Sequence, residues 1–242
     1  MRRLFLTLTL LLAPACVHAH EFMVVPTEGE AEGISVILTE SWIRPDRMPP
    51  ADKVVLERID AAGRTPLALV PAGNRLAATL PDTATGPAIL SASMIRDRME
   101  KPRGKPAEGE PPPAERMTRS AAYAKHFANL SETDDLWSRP VGSRLEVVPL
   151  ANPVALKPGA VLPVQILFDG QPVAATVQAT WDDGGREGHG FVVRTRSGAD
   201  GKADIPIDRA GLWLVRAKHG LDETREGYVR FAGSANITFH VP

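Results

Sequence analysis

Leu162-Pro163-Val164-Gln165-Ile166-Leu167-Phe168-Asp169-Gly170 decides the fold class. Its even positions up to Phe168 are all apolar, the period-two pattern of a half-buried strand, and Asp169-Gly170 closes it with a turn dipeptide. Val173, Ala175, Val177, Ala179 and Trp181 then alternate with Ala174, Thr176, Gln178 and Thr180. The two runs predict a β-hairpin. The same period returns in Ala203, Ile205 and Ile207, in Trp213, Val215 and Ala217, and in Ile237, Phe239 and Val241. Short strands with regular turn signals predict an all-β, sandwich-type fold.

Working toward the N-terminus, Phe22–Val25, Ile34–Glu40, Lys53–Ile59, Leu67–Val70, Arg75–Leu80 and Ala88–Ile95 read as further strands. Glu100–Glu115 is rich in Pro, Gly, Lys and Glu and includes Pro111-Pro112-Pro113. Such a composition buries too little apolar area to offset its ordering entropy, so it predicts a linker. In Ala114–Leu130, Tyr123, Phe127 and Leu130 stand at i, i+4 and i+7, predicting one short connecting helix. The expected division is a leader at 1–19, a β-sandwich domain at 20–98, a linker with the helix at 99–141, and a second β-sandwich domain at 142–242.

The leader reading rests on Arg2 and Arg3, the apolar run Leu4–Ala13, and Val17-His18-Ala19, the three-part layout of a secretory signal peptide. Cleavage after Ala19 leaves His20 first; a rival lipoprotein reading would place a lipid on Cys16. The expected location is the periplasm. Cys16 is the only cysteine, so a chain processed at Ala19 has neither disulfide nor thiolate chemistry. Loss of Arg2 and Arg3 leaves 26 basic against 29 acidic residues, a formal charge of −3, which excludes a general basic field for nucleic acid.

Several segments carry a resemblance. Gly142-Ser143-Arg144-Leu145-Glu146-Val147-Val148-Pro149-Leu150-Ala151-Asn152-Pro153 precedes Leu156-Lys157-Pro158-Gly159 and Leu167–Val173; Asp200-Gly201 and Gly211-Leu212-Trp213-Leu214-Val215 follow. Together with His20-Glu21-Phe22, Pro26 and Tyr123-Ala124-Lys125, this order resembles the DUF4198 family of exported bacterial proteins. The resemblance implies an Ig-like or transthyretin-like sandwich. For some members it implies nickel or cobalt uptake beside a membrane metal transporter. The family's Thr-Asp turn pair is altered here, since Arg196–Ala199 separates Thr195 from Asp200.

Candidate chemistry concentrates on histidine. An N-terminal His20 would offer an α-amine and an imidazole together, a set suited to Cu²⁺ or Ni²⁺; the plainer reading is a strand beginning. His219 shares parity with Trp213, Val215 and Ala217, so it predicts a core-facing side chain, either a second ligand or a buried histidine bonded to backbone. Asp182, Asp183, Glu187 and His189 share one loop that could hold a divalent cation weakly, or simply be a solvated tip. His126 is expected at the surface, and His240 to face away from the core. Trp181 and Trp213 are expected in the core, and Trp42 or Trp137 where domains meet. No G-x-S-x-G, H-E-x-x-H, phosphate loop or dinucleotide fingerprint occurs. The leading expectation is therefore a non-catalytic binding protein for Ni²⁺ or Co²⁺. An envelope module binding a protein or glycan through its loops is the alternative. A copper protein whose His20 converges on His219 is the third.

Overall fold

The computed structural model describes residues 21–29, 33–40, 44–81, 84–101, 110, 114–182 and 190–242. In chain order the strands are β1 Glu21–Pro26, β2 Gly33–Thr39, β3 Val54–Asp60, β4 Gly63–Pro66, β5 Val70–Ala72, β6 Arg75–Thr79, β7 Ala88–Glu100 and β8 Arg116–Ala128. They continue as β9 Leu145–Pro149, β10 Ala160–Phe168, β11 Gln171–Pro172, β12 Thr176–Trp181, β13 Val193–Arg196, β14 Lys202–Ile207, β15 Gly211–Arg225 and β16 Tyr228–Val241. The helical content among the described residues is three single 3₁₀ turns, one of them Leu136–Ser138 in the connecting region.

The strands form three layers. The middle layer is an eight-stranded sheet in the order β13-β12-β15-β16-β8-β7-β3-β4. The odd-numbered side chains of β15, β16 and β8 face the second sheet, built on β10 with β9, β11 and β14. Trp213, Val215, Phe239, Tyr123, Phe127, Leu145, Val164 and Ile205 fill that larger core. On the opposite face, Leu90, Ala92, Met94 and Ala124 meet Phe22, Val24, Val36 and Leu76 of the third sheet, ordered β1-β2-β6-β5. Met23, Val25 and Ile37 turn the other way and meet Leu214, so β1 is buried on both sides.

The expected all-β sandwich architecture is the one observed, with two corrections of detail. The helix expected over Ala114–Leu130 is strand β8. Residues four apart also share one face of a strand, so Tyr123 and Phe127 satisfy both periods. From Ala124 to His126 both faces of β8 are covered, and Ala122, Ala124 and His126 replace the polar alternation that would have revealed it. The hairpin expected between Leu162–Phe168 and Val173–Trp181 closes only through β11, which pairs Leu167 with Pro172 and Phe168 with Gln171. The chain then crosses the core, and β12 pairs with β15 in the middle sheet. Alternation reports which face is buried, and two strands facing one core from opposite sheets show the same pattern.

β8 runs antiparallel to β7 over the full length of both and parallel to β16 from Thr118 to His126. Backbone hydrogen bonds thus cross both boundaries expected at 98 and 141. Asp200-Gly201 forms a turn: the Lys202 N–H donates to Asp200 Oδ1 at 3.1 Å, and Gly201 takes φ +75°. A Cβ at Gly201 would stand 2.5 Å from the Ile166 carbonyl oxygen, a contact only glycine avoids.

Candidate functional site

The third sheet covers only part of the middle sheet. Where the cover ends, four strands lie side by side in register rows. One row is Lys218, Ser234, Ala122 and Met94; the next is Gly220, Ala232, Ser120 and Arg96. These even-numbered residues share a face. β16 and β8 supply only alanine and serine, so the centre of the face is a low floor. Long side chains rise from the flanking strands, Lys218 on β15 and Arg96 and Arg98 on β7. Arg47, which bridges Leu38 of β2, joins them from the covering sheet. Phe22, Leu38 and Met94 form the apolar back of the resulting cleft, about 400 Å³ in volume.

Its electrostatics are one-sided. Arg47, Arg96, Arg98 and Lys218 line the cleft, and no carboxylate does so among the described residues. Arg98 has an ion pair with Glu100. Arg47, Arg96 and Lys218 have no such partner among the described residues. Burial, then the charges of Arg98 and Arg47, pulls Arg96 below its ordinary range. Burial, with Arg216 adding, lowers Lys218 to about 8. Convergence of like charges in a partly desolvated place is unfavourable unless something negative joins them.

Of the residues singled out for metal chemistry, His219 and Asp182 are described. His20, Asp183, Glu187 and His189 lie outside the described residues. His219 faces the side its parity requires. It is half-buried, its ring centre 4.9 Å from that of Phe168, and burial followed by the charge of Arg196 lowers its pKa below the ordinary value. The Asp182 N–H donates to the Leu212 carbonyl at 2.8 Å where the loop departs. Among the described residues no three His, Cys, Asp or Glu side chains stand close enough to share a metal ion.

The start of β1 meets the opposite face of β15 from His219. Glu21 has an ion pair with Arg216, and the Arg216 guanidinium also donates to Gln178. Arg216 lies 3.9 Å from the ring centre of Phe191. His240 is exposed, as its parity predicts. His126, expected at the surface, is buried, because β8 is a strand with two covered faces. Trp213 is fully buried and Trp181 half-buried against it, their ring centres 5.4 Å apart. Trp137 packs at the edge of the larger core, and Trp42 lies outside the described residues.

The cleft cations were not among the sequence candidates, although a signal existed. Arg96 and Arg98 continue the parity of Met94 along β7 beyond Ile95, where the strand was expected to end, and the helical reading of β8 hid Ser120 and Ala122.

Fold and cleft together define a three-layered all-β protein with a cationic groove at the edge of its smaller sandwich. The chain belongs to the DUF4198 family: the family model, described as "Domain of unknown function (DUF4198)", matches residues 17–220. No curated protein matches it. Among solved structures, the "D0-D1 domain of Intimin" aligns over 90% of this chain and 97% of its own at 13% identity, with a TM-score of 0.23. So loose a superposition carries no argument. Among the described residues no helix is long and apolar enough to cross a membrane.

Proposed function

We propose that this chain is an exported, non-catalytic binding module that holds an anionic ligand in the cleft between the third sheet and the middle sheet. The observation behind this is the convergence of Arg47, Arg96, Arg98 and Lys218 on a cleft without a lining carboxylate. Its volume, about 400 Å³, suits a small molecule, since such sites span about 300–1,000 Å³. Guanidinium groups match carboxylate and phosphate oxygens in pairs, and partial desolvation strengthens those bonds.

Thermal unfolding of the processed protein in a panel of organic and inorganic anions, at constant ionic strength set by chloride, tests the reading. A ligand held only by the folded state stabilises it by about 2.7 kcal/mol at a hundredfold excess over its Kd. At least one anion should raise the Tm, and Arg96→Gln should remove the shift. If no anion shifts the Tm, or Arg96→Gln leaves the shift intact, the cleft is not the site.

Metal capture by His20 and the 182–189 loop, with Ni²⁺, Co²⁺ or Cu²⁺ passed to a membrane transporter, is the second reading. One observation favours it: Glu21 and Phe191, which adjoin those two segments in sequence, both contact Arg216. On this reading Ni²⁺ or Cu²⁺ raises the Tm, and one extra residue ahead of His20 abolishes the shift while leaving any anion effect untouched.

A further inference from the structure

We infer that the ligand of the cleft is a two-ended organic anion, a dicarboxylate with an apolar middle, lying across β16 and β8 with one carboxylate at Lys218 and the other at Arg96 and Arg98. The inference rests on the anion reading above and adds the shape and chemistry of the ligand.

The register rows carry it. Lys218 on β15 and Arg96 on β7 are separated by β16 and β8, three strand spacings, or roughly 14 Å between strand axes. The cations therefore stand at two walls, not at one point. Between them the floor is made of Ser120, Ala122, Ala232 and Ser234. Nothing on that floor is charged, and its side chains are short enough to leave the groove open from wall to wall. Inorganic phosphate or a simple monocarboxylate can satisfy one wall and leaves the other unpaired. A dianion with separated ends neutralises both.

The middle of the ligand follows from what borders the floor. Phe22, Leu38 and Met94 form the back. They favour methylene or similar apolar groups between the charged ends, while the two serine hydroxyls can bond a polar substituent facing the floor. A sugar bisphosphate would meet the same cations, but its hydroxylated linker gains nothing from that back wall. Arg98, already paired with Glu100, contributes less than Arg96, which has no carboxylate of its own among the described residues.

Titration calorimetry of the processed full chain with α,ω-dicarboxylates of two to six methylenes decides the matter. Monocarboxylates of matching length, inorganic phosphate and an alkane bisphosphonate serve as comparators. Affinity should pass through an optimum in chain length, and the best dicarboxylate should bind at least tenfold more tightly than its monocarboxylate. Lys218→Gln should bring the dicarboxylate down to the monocarboxylate level while leaving monocarboxylate binding within twofold, and Arg96→Gln should abolish both. Both substitutions replace side chains with some exposure, and a Tm of the free variants no lower than the parent's shows that they fold. If phosphate, monocarboxylate or the bisphosphonate binds as tightly as any dicarboxylate, and Arg96→Gln still abolishes it, the two-ended dicarboxylate is overturned while the anion site stands. If none of these anions binds, both readings fall.

Discussion

His126 backs the side chains of β16 that tie the N-terminal strand to the middle sheet. Its Nδ1 lies 2.9 Å from Thr238 Oγ1, and that hydroxyl lies 2.8 Å from the Val24 carbonyl oxygen. A threonine hydroxyl has one proton, and the carbonyl can only accept. Thr238 therefore donates to Val24, and His126 must donate from Nδ1 to Thr238. Asn236, two residues before Thr238, donates from Nδ2 to the Phe22 carbonyl at 2.6 Å. Side chains of β16 thus satisfy the carbonyl edge that β1 would otherwise bury unpaired. Burial lowers the His126 pKa to about 4, against an ordinary value of 6.5. The unfolded chain binds this proton first as pH falls, so the contribution of His126 is complete above about 6.5 and is lost progressively toward pH 4. The loss amounts to about 3 kcal/mol. Urea unfolding at pH 7 and pH 4.5 should show His126→Gln losing less stability than the parent over that interval. Parallel losses would mean that His126 is not buried neutral.

At the level of elements, β8 and β9 are joined by a buried ion pair. Lys125 Nζ donates to Glu146 Oε1 at 2.8 Å, with both side chains under 5% exposed. Glu146 also accepts the N–H of Val141 at 2.7 Å and of Gly142 at 3.1 Å, so it pins the chain entering β9. Burial pushes Lys125 below its ordinary range, opposed by the pull of Glu146. The pair gives a physical reason for two segments that carry the family resemblance, Tyr123-Ala124-Lys125 and Leu145–Pro149: each supplies one partner. Removing one partner of a buried pair leaves an uncompensated charge, at a cost of about 3–5 kcal/mol, whereas removing both is far milder. Glu146→Gln and Lys125→Met should each lower the urea midpoint strongly. The double substitution should be more stable than the sum of the two predicts, and additivity would show that the pair is uncoupled.

At the scale of the whole molecule, the connection between β7 and β8 is not what holds the halves together. β8 lies between β7 and β16 in the eight-stranded sheet, and two cores press on opposite faces of that sheet. A protease site inserted between 105 and 106 should therefore yield a nicked protein whose pieces co-elute in native gel filtration and unfold in one transition. Separation of two folded fragments on cutting, without denaturant, would show that each half is a domain in its own right. The cleft also belongs to this scale. Its cations come from β7, β15 and the segment after β2, and its floor comes from β8 and β16.

Read alone, the residues determined the all-β class, the turn at Asp169-Gly170, and the parity of His219 and His240. These are local properties: a period of two, a turn dipeptide and an alternation within one strand depend on near neighbours only. The sequence could not say that β10 and β12 part into different sheets, since alternation reveals a buried face but not the partner strand. It misread β8, because Tyr123 and Phe127 fit a helix as well as a strand and alanine stands where polar alternation would have revealed the strand. The cleft was hidden for the same reason. Arg47, Lys218 and the Arg96–Arg98 wall lie far apart along the chain, and only the parallel pairing of β8 with β16 places the two walls on either side of a floor of alanine and serine. Register between distant strands is set by which faces can be buried together, a property of the assembled layers and not of any one segment.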